Sequence, residues 1–231
     1  MLLTPQKEVA ILIFANSSAE ELNHKRIPKS SRFFEALTEQ TLATAKKTKL
    51  PYFHVTERHQ IGGSFGERFS NAIQSIFDKG YERIITIGND APHLKASQII
   101  QTAKELTEGK TVLGPSADGG FYLMGLHKAQ FNASEFKKLS WQTDTLLQEV
   151  SVLLNVKSNK SIRLQTLFDI DDLADLKLFS ARFKNIPEKL FAQIRLLLLK
   201  AVENFRFLLL FFENQLHKTF RNKGSPTVLH A

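Results

Sequence analysis

At 231 residues, with 42% hydrophobic and 23% charged side chains, the chain has the size and composition of one sizeable globular core. It has no cysteine, which excludes disulfides, thiolate metal sites and cysteine nucleophiles. Of the net charge of +8, residues 181–231 carry +6 (nine Lys/Arg less three Asp/Glu), so the body is nearly neutral, and no basic–aromatic array predicts a nucleic-acid partner.

The first apolar run, Val9–Ala15, is short, follows Lys7 and Glu8 and lacks a cleavage site, so it predicts a strand rather than a secretory signal, and a cytoplasmic location. Glu8–Ala15 (EVAILIFA) is continuous rather than alternating, as a strand buried on both faces requires. Its end opens into Asn16-Ser17-Ser18 and then His24-Lys25-Arg26. No glycine precedes Gly62, so this loop lacks the small residues of a glycine-rich phosphate loop. Lys25 and Arg26 could meet a diphosphate through charge, or form a solvated basic loop.

Ser31–Lys47 places Phe33, Phe34, Leu37, Leu42 and Ala45 at helical spacing, and Leu50–Val55 reads as the second strand. Gln60–Phe69 is a glycine-rich turn running into a helix, with Ser64 and Glu67 spaced as a capping box. That box leaves Arg68 unexplained, a cation in the first turn set against the dipole and a candidate contact to substrate or phosphate.

Tyr81–Leu126 is the stretch around which the chain is organised. A strand at Ile84–Ile87 stops in Gly88-Asn89-Asp90-Ala91-Pro92, and a helix follows over Leu94–Leu106. A strand at Thr111–Leu113 then enters Gly114-Pro115-Ser116-Ala117-Asp118-Gly119-Gly120, and Phe121–Met124 leads out. This alternation predicts an α/β domain with a parallel sheet, and ligands bind beyond the carboxyl ends of such strands. Asp90 and Asp118 should then share one rim, where two carboxylates beside backbone amides suit a divalent cation and the phosphates it bridges. Taken alone, Asp90 equally suits an Asx-turn or a helix N-cap. Gly119 and Gly120 allow the backbone to approach a sugar or phosphate closely.

Trp141-Gln142-Thr143-Asp144 precedes a helix over Thr145–Leu154; Thr143 or Asp144 fits its N-cap, and Trp141 fits either the core or a binding surface. Ser161–Gln165 reads as an edge strand, and Asp169, Asp171 and Asp172 stand at the start of a helix whose dipole they stabilise. Pro187–Arg221 predicts one helix of roughly 50 Å. Its seam of Phe191, Ile194, Leu198, Ala201, Phe205, Leu208 and Phe212 suits packing against the body or a second copy, while Lys200, Glu203 and Arg206 argue against a membrane span. Peripheral attachment to an anionic membrane surface is the alternative.

IGNDAPHL and LGPSADGGFYLMGL, preceded by QIGGSFGERF and followed by WQTD and FDIDDLADL, resemble in this order the nucleotide-diphospho-sugar transferase-like family with a GT-A fold. More narrowly they resemble a branch of small bacterial proteins classed as glycosyltransferases and related to those of arsenosugar biosynthesis. The resemblance implies a GT-A-like, mostly parallel sheet flanked by helices over residues 1–183, with 184–231 as a basic helical extension. It implies glycosyl transfer from a nucleotide-diphosphate donor to an unidentified acceptor hydroxyl with Mg²⁺ or Mn²⁺, or nucleotidyl transfer on the same fold. Retention of the fold as a non-catalytic scaffold is the third reading. Asp90 and Asp144 would hold the metal, Asp118 and Asp144 would act in catalysis, and Lys25, Arg26, Arg68, Asp118, Gly119 and Gly120 would bind the donor. Relatives carry a second acid three residues after Asp90, where this chain has His93. The acids of 169–172 are implied to be structural.

Overall fold

A computed structural model describes residues 7–25, 27, 30–157, 161–182 and 186–221. Six strands form one sheet: β1 (Lys7–Phe14), β2 (Tyr52–Val55), β3 (Tyr81–Ile87), β4 (Thr111–Pro115), β5 (Phe121–His127) and β6 (Ser161–Arg163), in the order β2-β1-β3-β5-β4-β6. β1 pairs in parallel with β2 and β3, and β4 with β6. β5 runs antiparallel to both of its neighbours. The parallel alternation expected from the order of elements fails at this point for a simple reason. Only Ser116–Gly120 joins β4 to β5, and a parallel crossover needs a dozen or more residues.

The continuous apolar run of β1 is divided by the two-residue repeat of the strand. Ala10 and Leu12 enter a core with Phe69, Ile73, Ile76 and Phe77 of α3 (Phe65–Asp78), Phe136 of α5 (Ala133–Lys137) and Val150 and Leu154 of α6 (Leu146–Lys157). Val9, Ile11 and Ile13 face the opposite core with Ala45 of α2 (Ser31–Lys47) and Ile99 and Leu106 of α4 (Ala96–Thr107). Phe33, Phe34 and Leu37 of α2 build a third cluster with Leu176 and Phe179 of α7 (Leu173–Arg182) and Leu190, Ile194 and Leu197 of α8 (Glu188–Arg221). The predicted long helix thus forms, and its first turns pack on the body. Among the described residues no helix is long and apolar enough to cross a membrane.

Candidate active site

A cleft of about 880 Å³ opens at the carboxyl ends of β1 and β3 and the turn between β4 and β5. It is lined by Lys25, Arg68, Asp90, Asp118, Gly120 and Asp144, so six of the eight residues proposed from sequence meet at one rim. Arg26 lies outside the described residues. Gly119 lies beneath Asp144, turned to positive φ (+93°) where a Cβ would sit 2.3 Å from the Asp144 carbonyl oxygen. Gly119→Ala should therefore cost about 2–3 kcal/mol, a fall in Tm of roughly 4–12 °C. Activity should fall with it, because Asp144 must move; melting curves beside an activity assay check both.

Asp90 lies three residues beyond the end of β3, yet it caps no helix: α4 starts at Ala96 with Lys95 as its N-cap. Its carboxylate is instead 3.5 Å from Lys25 Nζ, which also pairs with Asp171. Lys25 is the C-cap of the short helix α1 (Ser18–His24), which delivers it to the rim. Burial pulls the Lys25 pKa down, but Asp90 and Asp171 outweigh it and hold the ammonium charged above its usual range. Beside it Glu21 is buried, and its pKa is raised by that burial.

The turn between β4 and β5 is closed by Asp118, whose Oδ1 accepts from Gly120 N–H at 3.0 Å and from the Ser116 hydroxyl. One oxygen of Asp118 thus serves its own turn. The Asp144 side chain makes no hydrogen bond or ion pair among the described residues, and α6 begins without it as a cap. An exposed carboxylate in a cleft, with no structural duty, is available to a ligand.

Asp169 and Asp171, among the acids of 169–172 that the resemblance implies are structural, line the same rim. Leu167 N–H donates to Pro115 O (3.0 Å), Ala117 N–H to Leu167 O (3.0 Å) and Ile170 N–H to Asp90 O (3.1 Å). These bonds carry Asp169 and Asp171 into the cleft. Asp169 is half-buried, its Oδ1 has no hydrogen-bond partner among the described residues, and burial together with the charges of Asp90 and Asp118 pushes its pKa up to about 8. The charge of Asp90 contributes to this rise, so Asp169 joins the expected Asp90, Asp118 and Asp144 among the acids of this rim. Only the crowding of acids at 169–172 hinted at this, and a helix dipole explained that crowding equally well.

His93 does not line the cleft. Its Nε2 accepts from Phe168 N–H at 3.2 Å and its ring packs 6.0 Å from Phe179, so it braces the segment bearing Asp169. Burial lowers its pKa, keeping it neutral and able to accept.

The carboxylates fit a divalent cation in charge. Asp169 holds an orphaned oxygen and feels the charge of Asp90, whose counter-charge among the described residues is the ammonium of Lys25. No three His, Asp or Glu side chains converge as a ready ligand set among the described residues. That suits an ion held by one or two carboxylates plus substrate phosphates, the usual mode for Mg²⁺, rather than by an all-protein cage.

The first loop differs from a phosphate cradle. Ser17, N-cap of α1, gives its N–H and hydroxyl to the two oxygens of Glu57 at 2.7 and 2.8 Å. Burial opposes but these bonds win, and the Glu57 pKa is lowered.

The sheet and its flanking helices form a nucleotide-diphospho-sugar transferase-like fold. A protein of Desulfovibrio desulfuricans G20, provisionally described as a nucleotide-diphospho-sugar transferase, superposes with a TM-score of 0.67 at 20% identity, over 82% of this chain and 97% of that one. A 4-diphosphocytidyl-2C-methyl-D-erythritol synthase of Anaerococcus prevotii superposes at 0.51 and 11% identity, over 78% and 99% of the two chains. Residues 31–143 match the model of the family described as Uncharacterized protein conserved in bacteria (DUF2064). No curated protein matches the sequence.

Proposed function

We propose that the protein is a cytoplasmic glycosyltransferase that moves a sugar from a nucleotide-diphosphate donor to an acceptor hydroxyl. The observation that carries this reading is the division of charge in the cleft. Lys25 is held against Asp90 and Asp171, while Asp144 has no partner among the described residues. Lys25 meets the leaving diphosphate, and Asp90 with Asp169 would hold the divalent ion, Mg²⁺ or Mn²⁺. When bound, that ion supplies charge neutralisation to the diphosphate oxygens. The free oxygen of Asp118 and the backbone at Gly120 face the sugar, and Arg68 is a further substrate contact. Asp144 takes the proton of the acceptor hydroxyl as its oxygen bonds to the anomeric carbon. The bond from that carbon to the diphosphate breaks, and the nucleoside diphosphate leaves with the electron pair.

Nucleotidyl transfer is the second reading, favoured by the name of the diphosphocytidyl-compound synthase that shares the fold. Against it stands the first loop, whose Ser17 N–H is already committed to the carboxylate of Glu57 rather than open to a triphosphate. A scaffold without catalysis would give Asp144 and the half-buried Asp169 no task. The division at 183/184 belongs to this proposal too. Phe191, Leu199 and Val202 stay exposed on α8, a face suited to a second copy or, less well, to a membrane surface.

Incubation with a panel of nucleotide sugars, and separately with nucleoside triphosphates plus sugar phosphates, tests the choice. Release of a nucleoside diphosphate, reduced about 10²–10⁴-fold in Asp144→Asn, is the expected result. Release of pyrophosphate would transfer the assignment to nucleotidyl transfer.

A further inference from the structure

Five aromatic rings form one wall of the cleft. Phe14 lies 5.6 Å from Phe65; Trp141 lies 5.2 Å from Phe65, 5.0 Å from Phe69 and 6.1 Å from Phe121. All five line the cleft, and all but Phe69 are only half-buried. Rings packed purely to stabilise a core are usually closed off from solvent. These leave ring surface open to a ligand.

The wall has a set pose. The Trp141 indole N–H donates to Phe136 O at 2.7 Å, so the ring's polar handle is used and it offers a ligand only its apolar surface. Gly66 lets the indole lie directly on α3, since a Cβ there would meet the ring at 2.6 Å. Such a surface takes a flat, weakly polar ring by stacking or edge contact.

Beside the wall stands an uncompensated charge. Arg68 follows Phe65 by three residues and so shares its side of α3. Its Nε donates to Gln60 Oε1 at 3.1 Å and its Nη1 to Gly63 O at 3.4 Å, both neutral acceptors. Among the described residues no carboxylate lies within ion-pair distance of it, although Glu57, Asp90, Asp118 and Asp144 line the same cleft. The position is also the positive end of the α3 dipole, which makes an unpaired cation more costly. Two neutral acceptors fix the guanidinium without neutralising it, so an anion from outside has a site to fill.

We propose that the aromatic wall with Arg68 is the acceptor subsite, and that the acceptor is a compound with a flat apolar ring bearing an anionic group. The ring lies against Trp141 and its neighbours, and the anion meets Arg68. The word acceptor rests on the glycosyl-transfer reading; the ring-plus-anion chemistry does not.

Trp141 is the only tryptophan, so its emission reports on this wall alone. The full-length protein is titrated with 4-nitrobenzoate, 4-nitrobenzamide, inorganic phosphate and methyl β-glucoside. The expected result is saturable quenching by 4-nitrobenzoate, with an affinity about tenfold or more above that of the amide. Arg68→Gln should bring the acid down to the amide's level and leave the amide unchanged. Arg68→Lys should keep part of the preference, and Phe65→Ala should weaken both ligands. Equal affinity for acid and amide, or no saturable quenching by either, would overturn the proposal. Displacement of 4-nitrobenzoate by methyl β-glucoside would also overturn it, in favour of a neutral sugar. Donor binding, followed as an ion-dependent thermal shift with nucleotide sugars, keeps the two readings apart. No donor shift with an intact benzoate preference would overturn glycosyl transfer alone; a donor shift without that preference would overturn this inference alone.

Discussion

Asp90→Asn should lower turnover of the nucleotide-sugar donor by about 10³-fold, close to 4 kcal/mol of transition-state stabilisation. Asparagine keeps the shape of the turn after β3, so the loss would report charge. The carboxylate is the partner of Lys25 and acts on Asp169 through its charge, and in the proposed mechanism its removal would leave Asp169 alone to hold the ion. The thermal shift produced by Mg²⁺ or Mn²⁺ with the donor should vanish in the same variant. Stability without ligand should change little, because two effects oppose. Lys25 loses one partner but keeps Asp171, while Glu21 and Asp169 are relieved of a neighbouring negative charge. Steady-state rates and melting curves on one preparation test this, and turnover within threefold of wild type would remove Asp90 from the mechanism.

Asp169→Asn should stabilise the protein, increasingly so as the pH rises. The Asp169 pKa is pushed from an ordinary 3.8 up to about 8. The folded state therefore keeps a proton that the unfolded state releases between about pH 4 and pH 8. The contribution of this group to stability is present below pH 4 and is lost progressively as pH climbs through that window. Asparagine carries no charge at any of these pH values. The gap in Tm between variant and wild type should widen from pH 4.5 to pH 8.5 and level off above it. Discounted for coupling among the acids, the gain is of order 2 kcal/mol, or ~4–8 °C. A gap independent of pH would mean that Asp169 is not held protonated. Ion binding gives a second readout. A cation held against this carboxylate should expel its proton, so calorimetry in two buffers of different ionisation enthalpy should show proton release near pH 7 in wild type and not in the variant.

Much of this arrangement is written locally. The unbroken apolar run of β1, the capping box at Ser64 and Glu67, and the helix of Ser31–Lys47 follow from periodicity and end signals that neighbours in the chain supply to one another. The sequence likewise determined that Asp90 and Asp118 sit in sharp turns at strand ends, because glycine and proline punctuate the chain there. What those carboxylates touch was decided only by tertiary structure. Asp90 pairs with Lys25, 65 positions earlier, and acts by its charge on Asp169, nearly 80 positions later, through proximity no local rule encodes. The antiparallel β5 follows from a five-residue turn whose meaning depends on which strand it returns to. The uncommitted charges of Asp144 and Arg68 depend on which partners the fold leaves out of reach. The hydrophobic pattern places the elements, whereas burial and long-range proximity set the protonation of Asp169, the posture of Lys25 and the open face of Trp141.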